Sequence, residues 1–161
     1  RDRRGTMTAD VAYPDETFEA VVGLLGGRRV LRRDLRTRLD AHDLILGGLP
    51  SAALLYLTSS VAFLRDEHAI KSVIGVSLRT LQRRKEEPRP LSEDQGGRTW
   101  KFAEILAQAT RVLGSQEEAE RWLNSKVMAL SGRKPIDLLS TPTGVEMVEN
   151  LLTQLEYGVY V

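Results

Sequence analysis

The sequence predicts an all-α fold, and three observations carry that expectation. Apolar residues recur at three- and four-residue intervals through most of its 161 residues, the period of one face of a helix. Ser, Thr and Asp precede several of these stretches and Gly or Pro follows them, where helices start and stop. No run of alternating polar and apolar residues is long enough to demand a sheet.

The elements follow in order. Residues 17–25, TFEAVVGLL, predict a short helix ended by Gly26 and Gly27. Next, RRVLRRDLRTRLDAHDLIL spaces Leu31, Leu35 and Leu39 four apart, with Arg28, Arg29, Arg32, Arg33 and Arg36 on the other sides. That pattern predicts one amphipathic helix. Its six arginines, Arg28 to Arg38, suit phosphate contacts or an acidic protein surface equally well.

Pro50 suits a first helical turn, and Ala52, Leu54, Leu55, Leu57, Val61 and Leu64 predict a helix apolar almost all round. The 21 residues from Leu44 to Leu64 carry no charge, nominally enough to cross a bilayer. Gly47, Gly48 and Pro50 interrupt them, however, and Ser51, Thr58, Ser59 and Ser60 dilute them. The expectation is a helix end, a turn and a buried helix, with no membrane partner.

Asp66 can cap a short helix carrying Ala69, Ile70 and Val73 on one face. Gly75 stands where a left-handed residue would stop it, and Val76 can pack back over the turn. Ser77 offers a hydroxyl to the free amides of a new helix, Leu78 to Glu87, ended by Pro88 and Pro90. Helix, glycine turn and capped basic helix form the pattern of a helix-turn-helix over about residues 66–87.

On that last helix, Leu78, Leu81 and the stem of Lys85 are expected inward and Arg79, Thr80, Arg83 and Arg84 outward. Arg79 and Thr80 fall in the first turn, which usually reaches base edges. Arg83, Arg84 and Lys85 suit phosphates, with Ser77 at the cap. The plainer alternative is a solvated basic helix; charge and spacing leave the two open, and the capped turn favours DNA.

After Leu91 the composition changes. Residues 92–114 begin with Ser92 and Glu93, contain Gly96-Gly97 inside a helical pattern and end at Gly114. Two adjacent glycines cost a helix about 2 kcal/mol against alanine, so a bend or local unwinding is expected there. SQEEAERWLNSKVMAL opens with Ser115 and Glu118 in a capping-box arrangement, and places Trp122 and Leu123 in the core. Pro135 opens a short helix, and Thr141-Pro142 starts a final one with periodic Val145, Val148, Leu151, Leu152 and Leu155. Gly158 stops it, leaving Val159, Tyr160 and Val161 as an apolar tail.

This divides the chain into a polar leader (1–15) without the apolar stretch of a signal peptide, an N-terminal helical domain (16–91) and a C-terminal domain (92–161). Residues 1–91 hold 16 Lys and Arg against 12 Asp and Glu, and residues 92–161 hold 7 against 10. A basic front and an acidic back suggest surfaces with different partners.

Enzymatic readings find little support. There is no cysteine, which excludes thiolate chemistry and fits a reducing, cytoplasmic setting. The two histidines, His42 and His68, have no companion at metal-ligand or triad spacing. The glycine stretches lack the spacing that cradles a phosphate. No catalytic residue, cofactor or metal is expected.

LDAHDLILGGLPSAALLYL, IGVSLRTLQRRK, LSEDQGGR, EEAERWL, PIDLLSTPTGVEMVENLL and LEYGVYV, in this order, resemble antitoxins of the Xre/ParS/MbcA type from about Gly23 onward. The resemblance implies a helix-turn-helix that binds the antitoxin's own operator. It also implies a C-terminal domain that dimerises or binds a RES-type, NAD-degrading toxin and covers its active-site entrance, in a homodimer or a larger assembly with toxin. It places Arg79, Thr80, Arg83 and Arg84 in the recognition helix, and Glu156, Tyr157, Gly158, Val159, Tyr160 and Val161 on the toxin-facing tail. From the residues alone, packing of Val159 to Val161 on the chain's own helices is the favoured reading, and the resemblance reverses that order. Gly96-Gly97, and the lack of a proline after Trp122-Leu123, depart from the family pattern. The competing class is a stand-alone helix-turn-helix regulator whose C-terminal half only dimerises.

Overall fold

The computed structural model of the protein describes residues 15–158. Within them the helices are α1 (Asp15–Leu24), α2 (Gly27–Leu31), α3 (Arg38–Gly47), α4 (Ser51–Ser60), α5 (Glu67–Val73), α6 (Leu78–Glu86), α7 (Glu93–Leu113), α8 (Gln116–Leu123) and α9 (Pro142–Glu156). Single 3₁₀ turns occupy 62–65, 128–130 and 135–138, and the only β contact among the described residues is an isolated bridge, Val127 to Arg133. The fold is all-α. Most of the expected leader, residues 1–14, lies outside the described residues.

α7, 21 residues long, is the axis. α1, α3 and α5 lie against it from the N-terminal part of the chain, and α8 and α9 from the C-terminal part. The buried side chains form one continuous cluster crossing residue 91, from Phe18 and Val21 through Leu57, Ile70, Phe102 and Leu106 to Leu123 and Leu152. α9 is further clamped to α7 by Lys101, whose ammonium sits 2.9 Å from Glu149 and 2.9 Å from Glu104. Although burial opposes its charge, the two carboxylates hold it above the usual lysine range.

The arginine-rich stretch corrects the expectation of one helix. α2 ends at Leu31, Arg32 turns left-handed (φ 61°), and α3 starts afresh at Arg38. The cause is a local competitor. Thr37 Oγ1 accepts the Asp40 N–H (3.1 Å), while the Asp40 carboxylate accepts the N–H groups of Thr37 (3.1 Å) and Arg36 (2.8 Å), closing a capping box that starts a new helix. Those bonds, led by Arg36, hold Asp40 below the usual carboxylate range. Arg28 spans the break, gripping Glu19 of α1 with two bonds (3.0 and 2.9 Å) and donating to the Leu35 carbonyl (2.7 Å). Leu31 and Leu35 are buried, but Leu39 is 53% exposed.

α4 stops sooner than its apolar run suggests. Thr58, Ser59 and Ser60 hydroxyls donate back to the carbonyls of Leu55, Tyr56 and Leu57, and Arg65 caps the freed carbonyls of Thr58 (2.7 Å) and Ser59 (3.1 Å). Val61 and Leu64 are buried in the turn that follows, and Ala52 is exposed. No helix among the described residues is long and apolar enough to cross a membrane.

α7 also departs from expectation by running unbroken through Gly96-Gly97. Ser92 and Gln95 form a full capping box at its start, and Gly96 is buried where a Cβ would come 3.3 Å from Leu49 Cβ. The glycine permits close approach rather than a bend. α8 ends at Leu123, not Leu130, as the Ser125 hydroxyl bonds back to the Arg121 carbonyl and the chain turns into the Val127–Arg133 bridge. Ser115 caps it (3.1 Å to the Glu118 N–H), while the Glu118 carboxylate goes to Arg121. Leu123 is fully buried and Trp122 half-buried. Thr141 caps α9 through the Gly144 N–H (3.0 Å).

Two glycine substitutions should move stability in opposite directions. A Cβ on Gly144 would lie 1.8 Å from the Leu138 carbonyl oxygen, so Gly144→Ala should cost about 3 kcal/mol or more and lower Tm by on the order of 10 °C. Gly97, in a helix with nothing within 4 Å of its would-be Cβ, should stabilise by about 0.5–1 kcal/mol as alanine. Thermal unfolding followed by circular dichroism reads both. Asp40 makes a pH prediction. With its folded pKa below its ordinary 3.8, its contribution is present above that value and lost as pH falls through the folded pKa. Asp40→Asn should therefore lower Tm at pH 7 and narrow the gap to wild type on acidification to about pH 3.

Candidate functional site

α5, the glycine turn and α6 are fixed by short-range bonds. Asp66 caps α5 through the Ala69 N–H (3.0 Å). Gly75, at φ 88°, donates to the Ile70 carbonyl (3.1 Å), and Val76 is buried behind the turn. Ser77 Oγ accepts the Thr80 N–H (3.0 Å) and Glu67 accepts the Leu78 N–H (3.0 Å), so α5 supplies part of the cap of α6. A helix start held by two side chains is a rigid platform for what it projects.

α6 ends at Glu86 ahead of Pro88, as expected within a residue. Leu81 is buried and Leu78 half-buried. Arg79 and Arg83 point outward and have no ion-pair partner among the described residues; Gln82, Lys85 and Glu86 are exposed beside them. Three expected placements change. Thr80 is half-buried, its hydroxyl accepting from Ser77 Oγ at 3.1 Å. Arg84 is half-buried and donates to the Glu87 carbonyl (3.4 Å), so these two flank the helix instead of crowning it. Lys85 is exposed and its stem is not part of the buried side. Gln82, which the sequence reading did not single out, shares the outward face; at roughly 100° per residue it sits nearer to Arg79 than Thr80 does.

The C-terminal end of α9 presents a different surface. Tyr157 is 75% exposed, and Gly158 turns left-handed at φ 74°. Glu156 is exposed yet anchored, its carboxylate accepting from Arg111 of α7. Val159, Tyr160 and Val161 lie outside the described residues. Met147 is 45% exposed on α9, and Met128 88% exposed on the turn beyond α8. Neither was singled out from sequence, because the helical pattern that marks buried positions is silent about which apolar residues remain uncovered. Among the described residues no group of three His, Cys, Asp or Glu is placed to hold a metal ion; His68 instead lies 3.7 Å from Asp137 at the surface.

Residues 108–158 match the family described as antitoxin Xre/MbcA/ParS C-terminal toxin-binding domain, from the last turns of α7 to Gly158. The chain is similar to antitoxin Xre of Pseudomonas putida, at 37% identity over 125 residues, 78% of this chain and 76% of that protein. It is also similar to the Prs ADP-ribosylating antitoxin of a Sphingobium species, at 24% identity over 104 residues, 59% of this chain and 65% of that protein.

The burial pattern of α6 separates its structural from its presenting residues. Leu81→Ala should cost about 2–3 kcal/mol, whereas Arg79→Ala and Arg83→Ala should stay within about 0.5 kcal/mol of wild type, all measured by urea unfolding.

Proposed function

Because the chain belongs to the Xre/MbcA/ParS family of antitoxins, we propose that it neutralises a RES-type, NAD-degrading toxin in the cytoplasm and represses its own operon by binding operator DNA. It is an antitoxin rather than an enzyme, and its action is occlusion. Residues 92–161 dock beside the toxin's NAD cleft, and the tail from Glu156 to Val161 covers the entrance. The observation that carries this reading is the toxin-binding family match over residues 108–158, with Tyr157 exposed where that match ends. Tyrosine anchors interfaces well because it buries much area with few rotamers to freeze.

The DNA half of the proposal rests on α6. Arg79 and Arg83 have no ion-pair partner among the described residues and share one exposed face of a helix whose start is doubly held. Arginine in the first turn grips guanine O6 and N7 through two bonds, while Arg83, Arg84 and Lys85 suit phosphates. Thr80 and Ser77 contribute from the cap. A homodimer would present two such helices to a two-fold operator.

Co-expression with the toxin from the neighbouring reading frame tests the antitoxin role: the toxin should co-purify and growth should be rescued. Deleting residues 157–161 should leave fold and DNA binding intact but weaken neutralisation; unfolding of that variant would show the tail to be core. On operator fragments, log K against log salt should fall by about 0.9 per phosphate contact, and Arg79→Ala should cost about 1–3 kcal/mol with relaxed base preference. Equal loss on all sequences would make Arg79 a phosphate contact only.

A further inference from the structure

Behind α6 lies a groove of about 360 Å3 between α4, α6 and the start of α7. Its walls are apolar, from Leu54, Val76, Leu81 and Leu91, and its polar lining includes Arg84, Arg89 and Ser51 but no carboxylate. Ser51 is the first residue of α4 and only 3% exposed. Among the described residues its hydroxyl has no hydrogen-bond partner, unlike Thr58 and Thr99, the two other buried hydroxyls, which bond to backbone carbonyls. A buried hydroxyl left unpaired costs free energy that a protein usually avoids.

The backbone beside Ser51 makes the same offer. α4 follows Pro50, which offers no capping side chain, and the Ser51 and Ala52 N–H groups find no acceptor among the described residues. The positive end of a ten-residue helix is therefore uncompensated. α7 points its own N-terminus into the same groove, although Ser92 and Gln95 close that end with their capping box. Arg84 lines the groove half-buried, and Arg89 has no ion-pair partner among the described residues.

We infer that this groove is a phosphate-binding site, in which Ser51 Oγ and the free amides of α4 hold the oxyanion and Arg84 and Arg89 supply its counter-charge. Donors without acceptors, cations without carboxylates and a helix N-terminus are what a phosphate group requires. The group belongs either to a free phosphorylated molecule or to a nucleic-acid backbone, and the site sits on the inner flank of α6 in both cases. A ligand here would touch Arg84 and so bear directly on the placement of that helix.

The test titrates inorganic phosphate into the full chain at constant ionic strength, with chloride as the counter-series, following Tm and the Ser51 amide resonance. Phosphate should raise Tm beyond chloride in proportion to ln(1 + [phosphate]/Kd) and shift that resonance. Ser51→Ala, which removes only an unpaired hydroxyl, should melt no lower than wild type in chloride, and both it and Arg89→Ala should lose at least half of the phosphate-dependent rise. A second arm measures nucleic-acid binding of the same variants against salt. A slope smaller by about 0.9 in Arg89→Ala, the variant that loses a cation, identifies a backbone phosphate as the ligand. An unchanged slope with the phosphate response lost identifies a free phosphate. The inference is overturned if phosphate acts no differently from chloride and Arg89→Ala leaves the slope unchanged, or if both variants respond to phosphate as wild type does. The first arm needs no DNA, so it stands apart from the operator proposal.

Discussion

The arrangement of the molecule depends on a three-way contact at Gly48-Leu49. Leu49 is fully buried, and its carbonyl accepts the Leu91 N–H at 2.8 Å. On one side, Gly48 adopts φ 106° with a would-be Cβ 2.7 Å from Pro90; on the other, Gly96 lets α7 close to within van der Waals contact of Leu49. The segment after α3 is thus pressed between the segment after α6 and the first turn of α7. The Pro88–Pro90 stretch that ends α6 is clamped at its far end. Only glycine meets the backbone demand at position 48 without strain, and at Gly96 even a methyl group would force Leu49 to move.

Two surfaces of different character follow from that clamp. α6 rests on α4, which enters the core beside Leu49, while α8 and α9 rest on α7. The common core, continuous from Phe18 to Leu152, lets one body present exposed arginines from its front half and an exposed tyrosine at the end of its back half. The ion pairs Lys101–Glu149 and Arg111–Glu156 pin the last helix to that axis at two levels.

Much of this was legible in the sequence, and the illegible part has a pattern. Caps at Asp66, Ser77, Ser92, Ser115 and Thr141 could be read because a hydroxyl or carboxylate three residues from an amide is a local event, and the left-handed stops at Gly75 and Gly158 for the same reason. The break between α2 and α3 was hidden because a Leu31-Leu35-Leu39 spacing suits a helix even when a Thr37–Asp40 box has begun another. Gly96 looked like a weakness since nothing nearby in sequence announces Leu49 across from it. On α6, the outward Arg79 and Arg83 followed from spacing, but the inward lean of Thr80 and Arg84 depends on the neighbours lining the groove. Ser51 could not be recognised at all: that its hydroxyl has no partner among the described residues depends on neighbours distant in sequence.

We propose that one continuous body carries both a DNA-reading helix and a toxin-binding face, and that the two do not overlap. Mass photometry of the chain mixed with its cognate toxin and an operator duplex tests it directly. A single species containing toxin, antitoxin and DNA together, at a mass equal to the sum of its parts, is the expected result. Release of DNA whenever toxin binds, or the absence of any toxin-containing species, would contradict it.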